Sequence, residues 1–75
     1  MTLGEKIAAC RREKGLTQEE LGEMLGVSHQ AVSKWENDIS APDISLLLPL
    51  ADILGVTTDE LLRKGPIPRR ESPAK

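Results

Sequence analysis

The sequence predicts an all-α domain of five short helices, and three observations carry that prediction. Apolar residues recur at spacings of three and four, and no stretch alternates as a strand would. Glycines and prolines cut the periodic stretches into pieces of helical length. A hydroxyl or carboxyl residue opens each piece: Thr2, Thr17, Ser28, Asp43 and Thr57 stand where a helix needs its first amides capped.

The first helix is expected from about Thr2 to Lys14. Leu3, Ile7 and Cys10 form one apolar stripe on it, and Gly15 supplies the stop. The second runs from about Gln18 to Leu25. Thr17 and Glu20 make a capping box, Leu21 and Leu25 face inward, and Gly26 ends it. The third runs from about His29 to Asn37 behind the cap Ser28. Val32 and Trp35 share its back, and His29, Gln30, Ser33, Lys34 and Asn37 its front. The fourth runs from about Ile44 to Leu54, between Asp43 and Gly55. Pro49 fits it badly, because proline cannot donate to the Ser45 carbonyl and crowds it, so the helix either begins late or bends. The fifth is short, from about Thr58 to Arg63, with a second capping box at Thr57 and Glu60 and with Leu61 and Leu62 as its apolar residues.

These pieces divide the chain into a domain over residues 1–64 and a tail over 65–75. The tail has three prolines, few apolar residues and a basic balance, which describe a flexible segment or a linker cut short.

With 75 residues the chain suffices for one domain. A domain of that size buries only about 60% of the surface its unfolded form exposes. Its single cysteine allows no intrachain disulfide, so stability rests on helix packing, dimerisation or both. A lone thiol fits a reducing, cytoplasmic setting. No segment approaches the ~20 apolar residues of a membrane helix, and the N-terminus lacks a signal-peptide layout. The net charge of −2 is unevenly laid out, at +2 over residues 1–14, −6 over 15–64 and +2 over 65–75. A nucleic-acid partner would therefore meet modest non-specific attraction.

The informative stretch is Thr17 to Asn37: a capped helix, a three-residue turn with glycine at its start, and a second capped helix. That is a helix-turn-helix arrangement. Gly22 and Ala31 offer the small side chains a close helix crossing needs.

The run Gly15-Leu16-Thr17-Gln18-Glu19-Glu20-Leu21, then Leu25-Gly26-Val27-Ser28, then Ala31-Val32-Ser33-Lys34-Trp35-Glu36-Asn37 resembles the phage repressor/Cro helix-turn-helix regulators, also called the xenobiotic-response-element (XRE) family. The likeness extends through Pro42, Leu47, Leu50-Ala51, Leu54-Gly55-Val56 and Asp59-Glu60-Leu61-Leu62. It implies a five-helix, lambda-repressor-like DNA-binding domain whose third helix enters the major groove of double-stranded DNA. It implies base reading by Ser28, His29, Gln30, Ser33 and Lys34, with Gln30 suited to an adenine edge and Lys34 to guanine or phosphate. It implies phosphate contacts from Gln18, Lys34 and Asn37, and a structural pair between Arg11 and Glu36. The sequence departs from the family pattern at Gly22, where alanine is usual, and at Cys10, where leucine is usual.

Plainer readings stand beside these. Trp35 reads as core rather than as an exposed recognition aromatic, and Cys10 as core rather than as a redox group. His29 has no second ligand at metal spacing, and either contacts DNA or is solvated. Arg11–Glu36 is either an orienting pair or a surface ion pair worth under ~1 kcal/mol. Arg69 and Arg70 read as a solvated tail rather than as a minor-groove arm. Leu46, Leu48, Ile53 and Leu62 exceed what one small core can use and suggest a partner surface. A two-fold homodimer would set two reading helices about 34 Å apart on a palindromic operator.

Two function classes compete. One is a sequence-specific transcriptional regulator, read as a repressor. The other is an antitoxin-like or adaptor module that binds a protein through the fourth and fifth helices. Catalysis is not expected, since the sequence has no cofactor loop, metal cluster or paired-carboxylate site, and no cofactor is implied.

Overall fold

The structure, a computed structural model, describes residues 1–63. Five helices follow one another: α1 (Leu3–Glu13), α2 (Gln18–Leu25), α3 (His29–Glu36), α4 (Ile44–Leu54) and α5 (Thr58–Leu62). Among the described residues there is no strand. The expected order holds, and every expected bound falls within one residue of the observed one. The ends of α1, α3 and α5 fall a residue short, and Thr2 lies outside α1 as its cap. The expected tail lies outside the described residues.

Local chemistry sets the helix starts. Thr17 and Thr57 each accept the amide of the residue three on, and Glu20 and Glu60 accept theirs in return. A third such box, Thr2 with Glu5, opens α1. Ser28 and Asp43 cap α3 and α4 through a single side chain. Gly26 and Gly55 end α2 and α4 at φ 77° and 76°, in the left-handed region that glycine adopts without strain.

Pro49 lies within α4 and does not delay it; the helix starts at Ile44. The Leu46 amide closes the first turn on the Asp43 carbonyl at 2.8 Å. Ser45 is an exposed residue, so water is at hand for the carbonyl that proline leaves without its helical donor.

The core draws on every helix. Ile7 and Cys10 of α1, Leu21 of α2, Val32 and Trp35 of α3, Leu50, Ala51 and Leu54 of α4 and Leu61 of α5 form one buried cluster. Trp35 and Cys10 are core residues, as their spacing implied. Leu46 and Ile53 also pack against this core, so it absorbs more of α4 than a residue count suggested. Leu48 and Leu62 do not join it, at 67% and 58% exposed. Ile39 and Ile44 are more exposed still, at 71% and 81%.

Two long-range ties hold the first turns of α1 in place. Lys6 is 1% exposed, and its Nζ donates to the Glu60 carbonyl at 3.1 Å, joining α1 to α5. Asp38, at φ 60°, accepts the Gly4 amide at 3.0 Å and the Thr2 hydroxyl at 2.7 Å. The segment after α3 is thereby fastened to the start of α1.

Candidate nucleic-acid interface

The candidate surface is built by α2, the turn and α3. At the turn the Val27 amide returns to the Gly22 carbonyl at 2.8 Å. A Cβ on Gly22 would sit 2.6 Å from the Val27 carbonyl oxygen. The absent side chain is therefore what lets the turn lie against α2. The departure from alanine at Gly22 is a packing requirement, not merely a loss of helix propensity.

Val32 and Trp35 bury the back of α3 and so turn its front outward. Ser28, His29, Gln30, Lys34 and Asn37 are exposed, and Ser33 is half-buried. Ser28 Oγ accepts the Ala31 amide at 3.2 Å, which leaves the hydroxyl hydrogen free to donate outward. Asn37 turns its Nδ2 back to the Ser33 carbonyl at 2.8 Å, closing the end of α3.

Behind this front Arg11 and Glu36 form a two-pronged pair. Arg11 Nε lies 2.6 Å from Glu36 Oε2, and its terminal nitrogen 3.1 Å from Oε1. Their side chains are only 11% and 6% exposed, so this is no surface ion pair. Arg11 also donates to the Leu16 carbonyl at 2.7 Å, fixing the α1–α2 loop. Gln18 joins the same cluster, with Nε2 donating to Glu36 Oε1 at 3.0 Å. Burial alone would push the Glu36 carboxyl up. The hydrogen bonds from Arg11 and Gln18, with the charges of Arg11 and Arg12, outweigh it and hold the group below its ordinary value. No local pattern signals the Gln18–Glu36 contact, which joins residues 18 positions apart.

The charge around the surface is mixed. Lys34 is exposed on α3, whereas Glu19 and Glu23 are exposed on α2. Among the described residues no group of histidines, cysteines and carboxylates is placed to hold a metal ion. No described helix is long and apolar enough to cross a membrane.

This geometry accompanies a family match over residues 7–61, to the helix-turn-helix family. The chain belongs to the helix-turn-helix family. Its helix-turn-helix relatives include the SPbeta prophage-derived uncharacterized HTH-type transcriptional regulator YonR of Bacillus subtilis (strain 168). The two are 40% identical over 60 residues, which is 80% of this chain and 56% of YonR. The HTH-type transcriptional activator BcrR of Enterococcus faecalis is 44% identical over 62 residues, 83% of this chain and 30% of BcrR. The chain thus spans about half the length of YonR and less than a third of BcrR. Among solved structures, the P22 c2 repressor protein in complex with synthetic operator 9T superposes with a TM-score of 0.82 at 37% identity. That match covers 87% of this helix-turn-helix chain and 98% of the repressor chain.

Proposed function

We propose that the chain is a sequence-specific DNA-binding transcriptional regulator, acting as a repressor, with α3 in the major groove. One observation carries the reading. A short helix with a buried apolar back presents Ser28, His29, Gln30, Ser33 and Lys34 outward, on a fold close to that of an operator-bound repressor. Gln30 suits an adenine edge, and Lys34 a guanine or a phosphate. Gln18 takes a phosphate at the start of α2, where amides and helix dipole favour an anion. Asn37 contacts the backbone at the end of α3.

The regulator works in the cytoplasm as a homodimer on a palindromic operator, and it catalyses no reaction. Its dimer surface lies on α4 and α5, where Leu48 and Leu62 are exposed and Leu46 and Ile53 lie at the edge of the core. Binding of another protein through those helices is the second use of the same surface.

Selection from a random duplex DNA pool, followed by titration of the enriched sequence at several salt concentrations, tests the proposal. An enriched inverted repeat whose affinity falls steeply with salt is the expected result. Enrichment of no sequence overturns it. A reporter placed behind the selected site then gives the sign of regulation, and activation rather than silencing would correct the repressor reading.

A further inference from the structure

Gln18 sits between two demands. Its Nε2 donates one hydrogen to Glu36 Oε1 at 3.0 Å. Glu36 is held as a carboxylate by Arg11, through contacts of 2.6 and 3.1 Å. A carboxylate accepts and cannot donate, so only the nitrogen end of the Gln18 amide can face it. The orientation of an amide that solvent alone would leave free to flip is therefore fixed. The second hydrogen on Nε2 meets no acceptor among the described residues. Glu36 is 6% exposed at its side chain and lies on the α1 side of α3, so it cannot itself reach a base or a phosphate.

We infer that Glu36 is a positioning residue for DNA binding: it fixes the Gln18 amide with a donor, not an acceptor, presented to a backbone phosphate. This rests on the proposed regulator function. Arg11 is the third member, because it keeps the Glu36 carboxylate oriented toward both partners. A Gln18 amide turned the other way would set its carbonyl oxygen against the anionic phosphate. The donor therefore reaches the anion without first searching two amide orientations.

The test uses the wild-type chain and the duplex enriched by selection. In nuclear magnetic resonance spectra, one Gln18 Nε2 proton is expected to move strongly when the duplex is added. The other, bonded to Glu36, is expected to hold its position. Gln18→Met should weaken binding roughly three- to tenfold, the worth of one hydrogen bond. Glu36→Gln should weaken it when Gln18 is present and add nothing in the Gln18→Met background, with the folded fraction of each variant fixed by melting curves. If both Gln18 protons stay still in the complex, or if Glu36→Gln costs the same in both backgrounds, the inference is overturned. Failure of the wild type to bind any selected duplex would instead remove the regulator reading on which it stands.

Discussion

The amide of Gly4 is bound by the carboxylate of Asp38 at 3.0 Å, although 34 residues separate them. A Cβ on Gly4 would overlap the Trp35 carbonyl oxygen and lie 2.7 Å from that of Glu36. The first turn of α1 therefore rests directly on the end of α3. Gly4→Ala is expected to destabilise the domain by about 2–3 kcal/mol, despite alanine's better helix propensity, because the obstacle is backbone. Asp38→Ala should cost about 2 kcal/mol, since it removes a helix-start acceptor and puts alanine at a positive φ. Urea midpoints of the two variants check both values.

Stability should fall with acid through Glu36. Its folded carboxyl titrates below its ordinary value of 4.5. The stabilisation is thus complete above the ordinary value and is lost as pH drops toward the depressed one. Asp43 adds an effect of the same sign, because its hydrogen bonds with Ser45 hold it below its ordinary 3.8. Glu36→Gln should cost about 2–4 kcal/mol at neutral pH, since it leaves Arg11 mostly buried without its counter-charge. Melting temperatures followed from pH 7 to pH 3 should drop less steeply for the variant than for the wild type.

Gly22 and Gly26 should respond differently to alanine. Gly26 has open space around a Cβ but a φ of 77°, so Gly26→Ala is expected to cost about 1 kcal/mol of backbone strain. Gly22 has helical geometry but a carbonyl 2.6 Å from its would-be Cβ. Gly22→Ala should cost about 1–3 kcal/mol and also push the turn and α3 outward. Operator affinity, corrected for folded fraction, should therefore fall for Gly22→Ala and hold for Gly26→Ala.

On the reading face, Gln30→Ala should cost about 1–3 kcal/mol of binding and relax preference at one base pair. Lys34→Gln should lower the salt slope by about one if the lysine meets a phosphate. Mobility-shift titrations on the selected site and its single-base variants separate these effects. A uniform loss across all sequences for Gln30→Ala would remove it from the base readers.

The apolar surface makes a contrasting prediction. Leu48 is 67% exposed, so Leu48→Glu should leave the melting temperature within a few degrees while shifting sedimentation toward monomer. Leu46 packs against the core, so Leu46→Ala should destabilise the fold itself by about 1–2 kcal/mol. Equal sedimentation of Leu48→Glu and wild type would place the dimer surface elsewhere.

The helices were legible in the sequence because their starts are local. Thr17 and Glu20, or Thr57 and Glu60, define a helix N-terminus within four residues. Which side of α3 is exposed was legible for the same reason, since the spacing of Val32 and Trp35 decides which side turns in. What escaped was non-local. Nothing near Lys6 in the sequence marks it for burial, because the Glu60 carbonyl that accepts from it lies 54 positions away. Asp38 carried no periodic signal, because its partners lie on another helix. Gly22 was legible as a small residue at a close helix crossing, but not the neighbour it makes room for, the Val27 carbonyl of the turn. The leucines of α4 were hard to apportion because a helix that is apolar on most sides does not announce which side is covered.

α2 and α3 are eight residues each. Isolated helices below about 12–15 residues are marginal in water even with good formers. Neither half of the reading head can therefore persist outside the domain, and recognition comes as an all-or-none property of folding. A defect at Gly4 or Lys6, neither of which is on the exposed front of α3, removes folded molecules from solution, just as a lost base contact lowers affinity. The two are told apart by the folded fraction: the folding defect weakens apparent affinity for every sequence alike and only where unfolded chain is populated, while a lost base contact weakens it even when every chain is folded.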